Sequence, residues 1–85
     1  MLVTELKVVF DARKSFYGKA QVIYYDNGII ELQSYNTIVC RLNTTKRTCN
    51  IYGYYSQTTA RHIREFLKQM GIAVPQPLTA TTINY

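Results

Sequence analysis

Asn27-Gly28 lies between two apolar runs, residues 19–25 and 29–34. Asn-Gly tolerates a positive φ at both central positions of a two-residue type I′ turn, so it folds the chain back on itself and makes the two runs antiparallel neighbours. With that turn Tyr25 faces Ile30 and Ile23 faces Leu32, apolar against apolar on one face. A second hairpin is expected from residues 37–42 and 47–54, closed by Asn43-Thr44-Thr45-Lys46, with Ile38 facing Ile51 and Cys40 facing Cys49. Tyr35, Thr37, Val39 and Arg41 then point the other way, opposite Thr48, Asn50, Tyr52 and Tyr54. Upstream, Leu6, Val8 and Phe10 alternate with Glu5, Lys7 and Asp11, which reads as a half-buried strand over residues 5–11. Residues 12–18 break the alternation and read as a loop.

Ser56 opens the one strong helix, because its hydroxyl can accept an orphan N–H of the first turn. Ala60, Ile63, Leu67 and Met70 recur at helical spacing as a buried stripe, with Phe66 on its flank. Gly71 is a strain-free stop, and Pro75 and Pro77 prevent continuation. The expected fold is therefore α+β: an antiparallel sheet of about four strands in two hairpins, with one C-terminal helix packed on one face. Residues 1–74 make a single domain. Residues 75–85 are either a short edge strand or a disordered tail.

A chain of 85 residues, 47% of them apolar, has one modest core. No apolar run is long enough for a membrane helix, and residues 1–7 lack the pattern of a secretory signal, so a cytosolic protein without membrane contact is expected. The formal charge is +5. Residues 1–31 balance Lys7, Arg13, Lys14 and Lys19 against four acids. Residues 32–85 set Arg41, Lys46, Arg47, Arg61, Arg64 and Lys68 against Glu65 alone. Such asymmetry favours an anionic partner.

Catalytic chemistry finds little footing. His62 is the only histidine, with Glu65 and Phe66 one helical turn on. Cys40 and Cys49 are candidate nucleophiles, but both are expected on the core face, where thiols act as small hydrophobes. One histidine and two cysteines fall short of a closed zinc site, the five acids are scattered, and no glycine-rich phosphate loop exists. The expectation is a protein that is not an enzyme and needs no metal or cofactor. The eight tyrosines say more. With Tyr35, Tyr52, Tyr54 and Arg41 on one outer sheet face, the chain would present an aromatic, basic surface of the kind that stacks unpaired bases; intramolecular packing or a protein interface would use the same rings. Arg61, Arg64 and Lys68 form a basic helix stripe, which Glu65 can blunt by pairing with Arg61 or Lys68. Arg13 and Lys14 share the loop over residues 12–18 with Phe16 and Tyr17, and these rings are either exposed for contact or plug the end of the core.

Several segments are distinctive together: Phe10 to Ala20, Ser34 to Val39, and, from Tyr55 on, Ser56, Thr58-Thr59, Arg61-His62-Ile63, Glu65-Phe66-Leu67 and Gln69. They resemble a family of small proteins from phages and mobile elements of Firmicutes, known only as a domain of unknown function. The resemblance spans about residues 6–71 and carries no catalytic residues with it. It implies a stoichiometric binder. The first expectation is a nucleic-acid-binding accessory protein, with contacts from Arg41, Tyr52, Tyr54, Arg61, Arg64, Lys68, Tyr35, Arg13 and Lys14. The alternative is a phage-encoded, anti-CRISPR-like inhibitor of a host nucleic-acid-processing complex. With its positive charge such an inhibitor would grip an acidic protein patch or a guide RNA rather than mimic DNA. A third reading is a self-associating structural protein, a homodimer through the open sheet face.

Overall fold

In the computed structural model, which describes residues 1–53 and 56–85, the chain forms one six-stranded antiparallel sheet. The strands are β1 (Leu2–Glu5), β2 (Ala20–Tyr24), β3 (Ile29–Ser34), β4 (Thr37–Asn43), β5 (Thr48–Ile51) and β6 (Thr81–Asn84), and they pair in chain order. A single helix, α1 (Gln57–Gln69), covers one face. The α+β class and the lone helix match the sequence reading, but the sheet has six strands, not about four. The extra strands lie at the two ends. β1 flanks β2, and the Thr-rich tail supplies β6 on the outer side of β5.

The expected strand over residues 5–11 does not form. The ladder with β2 ends at Leu6, whose N–H reaches the Ala20 carbonyl at 2.9 Å. Beyond it the backbone leaves the sheet, and its amides are captured by a side chain of the helix. Glu65 Oε1 accepts the N–H groups of Phe10 (2.9 Å) and Asp11 (2.8 Å), and Oε2 accepts that of Val9 at 3.1 Å. Gln69 Nε2 donates to the same carboxylate and to the Lys7 carbonyl, both at 2.6 Å. Glu65 is therefore buried in a nest of donors and does not pair with Arg61 or Lys68.

The first hairpin is shifted in register by one residue from the expected pairing, and its loop is one residue longer. Tyr25 N–H bonds the Ile29 carbonyl at 2.9 Å, which closes a three-residue loop, Asp26-Asn27-Gly28. Only Gly28 takes a positive φ there, 82°. Val22 thus faces Leu32 and Tyr24 faces Ile30, while Ile23 faces Glu31 on the opposite face. The second hairpin is shifted by two, so its faces survive: Cys40 opposes Ile51, Leu42 opposes Cys49, and the loop is residues 44–47. A bulge at Leu32/Gln33 leaves Val39 unpaired in that ladder, and the bulge turns Val39 inward rather than to the outer face.

The core is the row Val22, Leu32, Cys40 and Ile51, with Leu42 and Cys49, under Ala60, Ile63, Phe66 and Leu67 of α1. Ser56 caps the helix by accepting the Thr59 N–H at 3.1 Å. At the other end Gly71 (φ 73°) closes a Schellman motif: Ile72 N–H reaches the Leu67 carbonyl at 2.9 Å and Gly71 N–H that of Lys68 at 3.1 Å. Buried Ile72 meets the core beside Leu67. α1 buries more than the expected stripe, since Thr59, His62 and Glu65 are inside as well, while Met70 is only half-buried. No helix among the described residues is long and apolar enough to cross a membrane.

Burial works to raise the Glu65 carboxyl, but hydrogen bonds from Gln69 and from the N–H groups of Asp11, Phe10 and Val9 outweigh it and hold the group below its ordinary value. The stabilisation this carries is complete above the ordinary carboxylate value and is lost as pH falls through the lowered, folded-state one. Glu65→Gln presents an amide NH2 to donors and is expected to cost about 1–3 kcal/mol in denaturant unfolding at neutral pH. It should also flatten the acid limb of the stability profile. A variant as stable as the parent would show that the loop is held by something else.

Candidate functional site

Alternation along the strands separates two surfaces. Ser34 belongs to the helix-covered face, where its Oγ lies 3.0 Å from Thr59 Oγ1 and 2.8 Å from His62 Nδ1. Glu31 and Gln33 therefore face away from α1, and so does Arg41 opposite Glu31. On that open face Arg41 Nε sits 3.8 Å from Glu31 Oε2, and Tyr25 donates its hydroxyl to Glu31 Oε1 at 2.7 Å. Asn43, Thr48 and Asn50 complete a polar surface, of the kind an antiparallel sheet can leave in water.

The expected grouping of Arg41 with Tyr35, Tyr52 and Tyr54 on this face is not what the structure builds. Tyr35 occupies the tight turn between β3 and β4 with φ 55°, and its ring lies 5.9 Å from that of His62, on the helix side. Tyr52 is half-exposed just past β5, its N–H bonded to the Val39 carbonyl. Tyr54 lies outside the described residues. The reason for the difference is the sharp Ser34–Thr37 turn: a residue at its left-handed corner does not follow the pleat of the strands beside it.

Cations gather instead where the loop over residues 7–19 crosses α1. Gln57, Arg61, Arg64 and Lys68 of α1 line a cleft of about 520 Å3 together with Phe10, Asp11 and Ala12 of the loop. Arg61 Nη1 bonds Asp11 Oδ1 at 3.0 Å. The Arg13 N–H holds the Asp11 carboxyl below its usual range against the effect of burial, and Arg61 adds to the shift, so the pair stays ionised. Arg64 and Lys68 are exposed and have no ion pair among the described residues. Lys14 shares a shallow recess with Glu5 and Lys7 on the far side of the loop.

The lining of a second, smaller recess of about 200 Å3 includes Arg13, Tyr17, Lys19, Tyr35, Thr58 and His62. Of these, only Arg13 and Tyr35 were expected at a site. Phe16 does plug the core end, its ring 4.5 Å from that of His62, whereas Tyr17 is 77% exposed. His62 is fully buried. Its burial was hidden because the position lies off the helical stripe; the only signal was Ser34, a small polar residue at an inward strand position.

Cys40 and Cys49 are free and buried, with Sγ atoms 3.4 Å apart. They lie on diagonal rather than opposed positions. Among the described residues, no three of the His, Cys, Asp and Glu side chains gather closely enough to hold a metal ion.

A family model described as a family of unknown function (DUF8033) matches residues 4–76. No curated protein and no solved structure matches the chain.

The hydrogen bond to Cys49, and then burial, push the Cys40 thiol up, so it stays protonated and unreactive at neutral pH. Iodoacetamide is expected to alkylate both cysteines in denaturant and neither at a comparable rate in the native protein. Rapid native alkylation would place a thiol within reach of solvent and reopen the nucleophile question.

Proposed function

The chain belongs to the family of unknown function DUF8033, and, since membership brings no activity with it, we propose that it is a non-catalytic module that binds nucleic acid on the face made by α1 and the loop over residues 7–19. One observation carries this reading. Arg13, Lys19, Arg64 and Lys68 stand without ion pairs among the described residues on the side where Phe10 (56% exposed), Tyr17 and Tyr35 reach water, whereas the open sheet face pairs Arg41 with Glu31 and leaves Lys46 unpaired. Cations follow a phosphate backbone, and exposed rings stack its bases at about 1–3 kcal/mol each. Arg41 is therefore left out of the contact set. A small stoichiometric binder of this kind, acting in the cytosol, fits the phage or mobile-element origin that the sequence resemblance implies.

Val9 and Phe10 favour one further reading. They expose apolar surface beside the cationic cleft, as an anchor for an acidic protein patch would. That is the chemistry expected of an inhibitor directed at a host nucleic-acid-processing complex.

Titration against single-stranded DNA, duplex DNA and RNA at two salt concentrations tests the proposal. Four phosphate contacts to a single strand predict a loss of affinity of about fifty-fold between roughly 50 and 200 mM salt. Arg64→Glu with Lys68→Glu should weaken binding and flatten that slope, and Arg41→Glu should change neither. An absence of binding to all three polymers at low salt overturns the proposal in favour of a protein partner. Equal loss on Arg41→Glu overturns the choice of face.

A further inference from the structure

We infer that the recess lined by Arg13, Tyr17, Lys19, Tyr35, Thr58 and His62 receives the monoester phosphate of a nucleotide, either free or at the 5′ end of a strand, with the base resting on the tyrosines at its rim. The inference rests on the reading that this face takes nucleic acid, and it names where the end of a strand would sit.

The first observation is His62. Its ring is buried and fixed through Nδ1 to Ser34, yet Nε2 has no hydrogen-bond partner among the described residues. A buried polar nitrogen left without a partner is costly and uncommon in a folded protein. Burial holds the imidazole below its ordinary value, more than the nearby Asp11 carboxylate raises it, so the ring is neutral at neutral pH. In the tautomer where the Ser34 hydroxyl donates to Nδ1, Nε2 carries the hydrogen and would donate to a phosphate oxygen.

Backbone conformation is the second observation. Tyr17 and Tyr35, both on this recess, hold left-handed φ values of 54° and 55°. Aromatic residues rarely adopt that region, and such strain persists where the surroundings enforce it, often at ligand clamps. Here both turns are tied through Lys19: its N–H bonds the Phe16 carbonyl at 3.0 Å, and its own carbonyl accepts the Tyr35 N–H at 2.7 Å. One residue thus fixes both rings and carries the ammonium group of the recess.

Charge and size choose the ligand. Arg13 and Lys19 have no ion pair among the described residues, no carboxylate lines the recess, and the first turn of α1 beside it contains no acid. The helix dipole adds to the same sign. Two cations, a ring N–H and the Thr58 hydroxyl suit a group with several terminal oxygens. A volume of about 200 Å3 is smaller than a drug-sized pocket. It admits a phosphoryl group and part of its sugar while the base stays outside against exposed rings. Because the recess ends on the buried His62, it suits a terminal phosphate better than a strand passing through.

His62 is the chain's only histidine, so its ring resonances report the recess without ambiguity. One oligonucleotide, 5′-phosphorylated or 5′-hydroxyl, is titrated at low salt with affinity and His62 chemical shifts read together, and adenosine 5′-monophosphate is titrated separately. The phosphorylated strand is expected to bind at least about five-fold more tightly, as charge-assisted hydrogen bonds to the phosphate would give, and it alone should move the His62 signals. Lys19→Gln, at an exposed position, should weaken the phosphorylated strand by at least about five-fold more than the hydroxyl strand, so that the preference is lost. Equal binding of both strands with unmoved His62 signals, or a preference that survives Lys19→Gln, overturns the inference and leaves the broader binding face standing. If neither strand binds but the mononucleotide moves His62, the recess is a nucleotide site and strand binding is overturned. If neither strand binds and the mononucleotide moves nothing, both fail.

Discussion

A carboxylate almost without contact with water decides how this chain closes. After Leu6 the backbone leaves the sheet, and each amide it frees must find another acceptor. An ionised carboxylate offers about four acceptor sites in a compact space, and Glu65 spends them on three consecutive N–H groups and the Gln69 amide. Burying that charge is unfavourable, yet a full set of donors offsets it. The consequence is positional. The loop over residues 7–19 is laid along α1, which brings Asp11 to Arg61, sends Phe16 into the core against His62, and sets Arg13 and Lys19 beside the first turn of the helix. The loop's share of the candidate site lies downstream of that one clasp.

Much of the fold is legible in local chemistry, and the failures have identifiable causes. Ser56 and Gly71 bound the helix as their cap chemistry requires. The two central hairpins lie where the turns place them. The register of the first was not legible because Val22-Ile23-Tyr24-Tyr25 is an unbroken apolar run. A two-residue and a three-residue loop both set apolar against apolar, and alternation gives no means of choosing. The alternation over residues 5–11 misled for the opposite reason: a strand-like pattern was present, but the β2 backbone that would pair with it ends at Ala20. Whether amides find a ladder or a side chain depends on Glu65, more than fifty residues away, and no local pattern encodes that. The site suffered likewise. Arg61, Arg64 and Lys68 could be read from helical spacing, whereas Lys19, Tyr17 and His62 come together only through the loop.

The charge distribution changes meaning once the chain is folded. Along the sequence the N-terminal part is neutral and the surplus lies beyond it. In space the N-terminal acids are largely committed: Asp11 to Arg61, Glu31 to Arg41 and Tyr25, Asp26 to the amino terminus at 3.8 Å, and Glu5 to the Gly18 N–H at 3.2 Å. Arg13 and Lys19, balanced on paper, are therefore released to join Arg64 and Lys68. The local field on the helix side is more positive than either sequence half suggests. On the open face Arg41 is offset by Glu31, and Lys46 stands beside it without an ion pair among the described residues.

The left-handed residues give a further reason to regard the helix side as the working side. Among the described residues, three non-glycine residues adopt that conformation, Tyr17, Tyr35 and Arg47. Arg47 is repaid locally: its Nε donates to the Tyr85 carbonyl at 2.7 Å and its guanidinium lies 4.8 Å from the Tyr85 ring centroid, so the strained corner secures β6. No such return is evident at the tyrosines. Tyr17 is 77% and Tyr35 48% exposed, so neither ring offsets the backbone cost by burial. Glycine would serve both turns more cheaply, and glycine does occupy the next left-handed corner, Gly18 at φ 74°. Both rings border the recess over His62, where the phosphate ligand inferred above would give them a partner outside the fold.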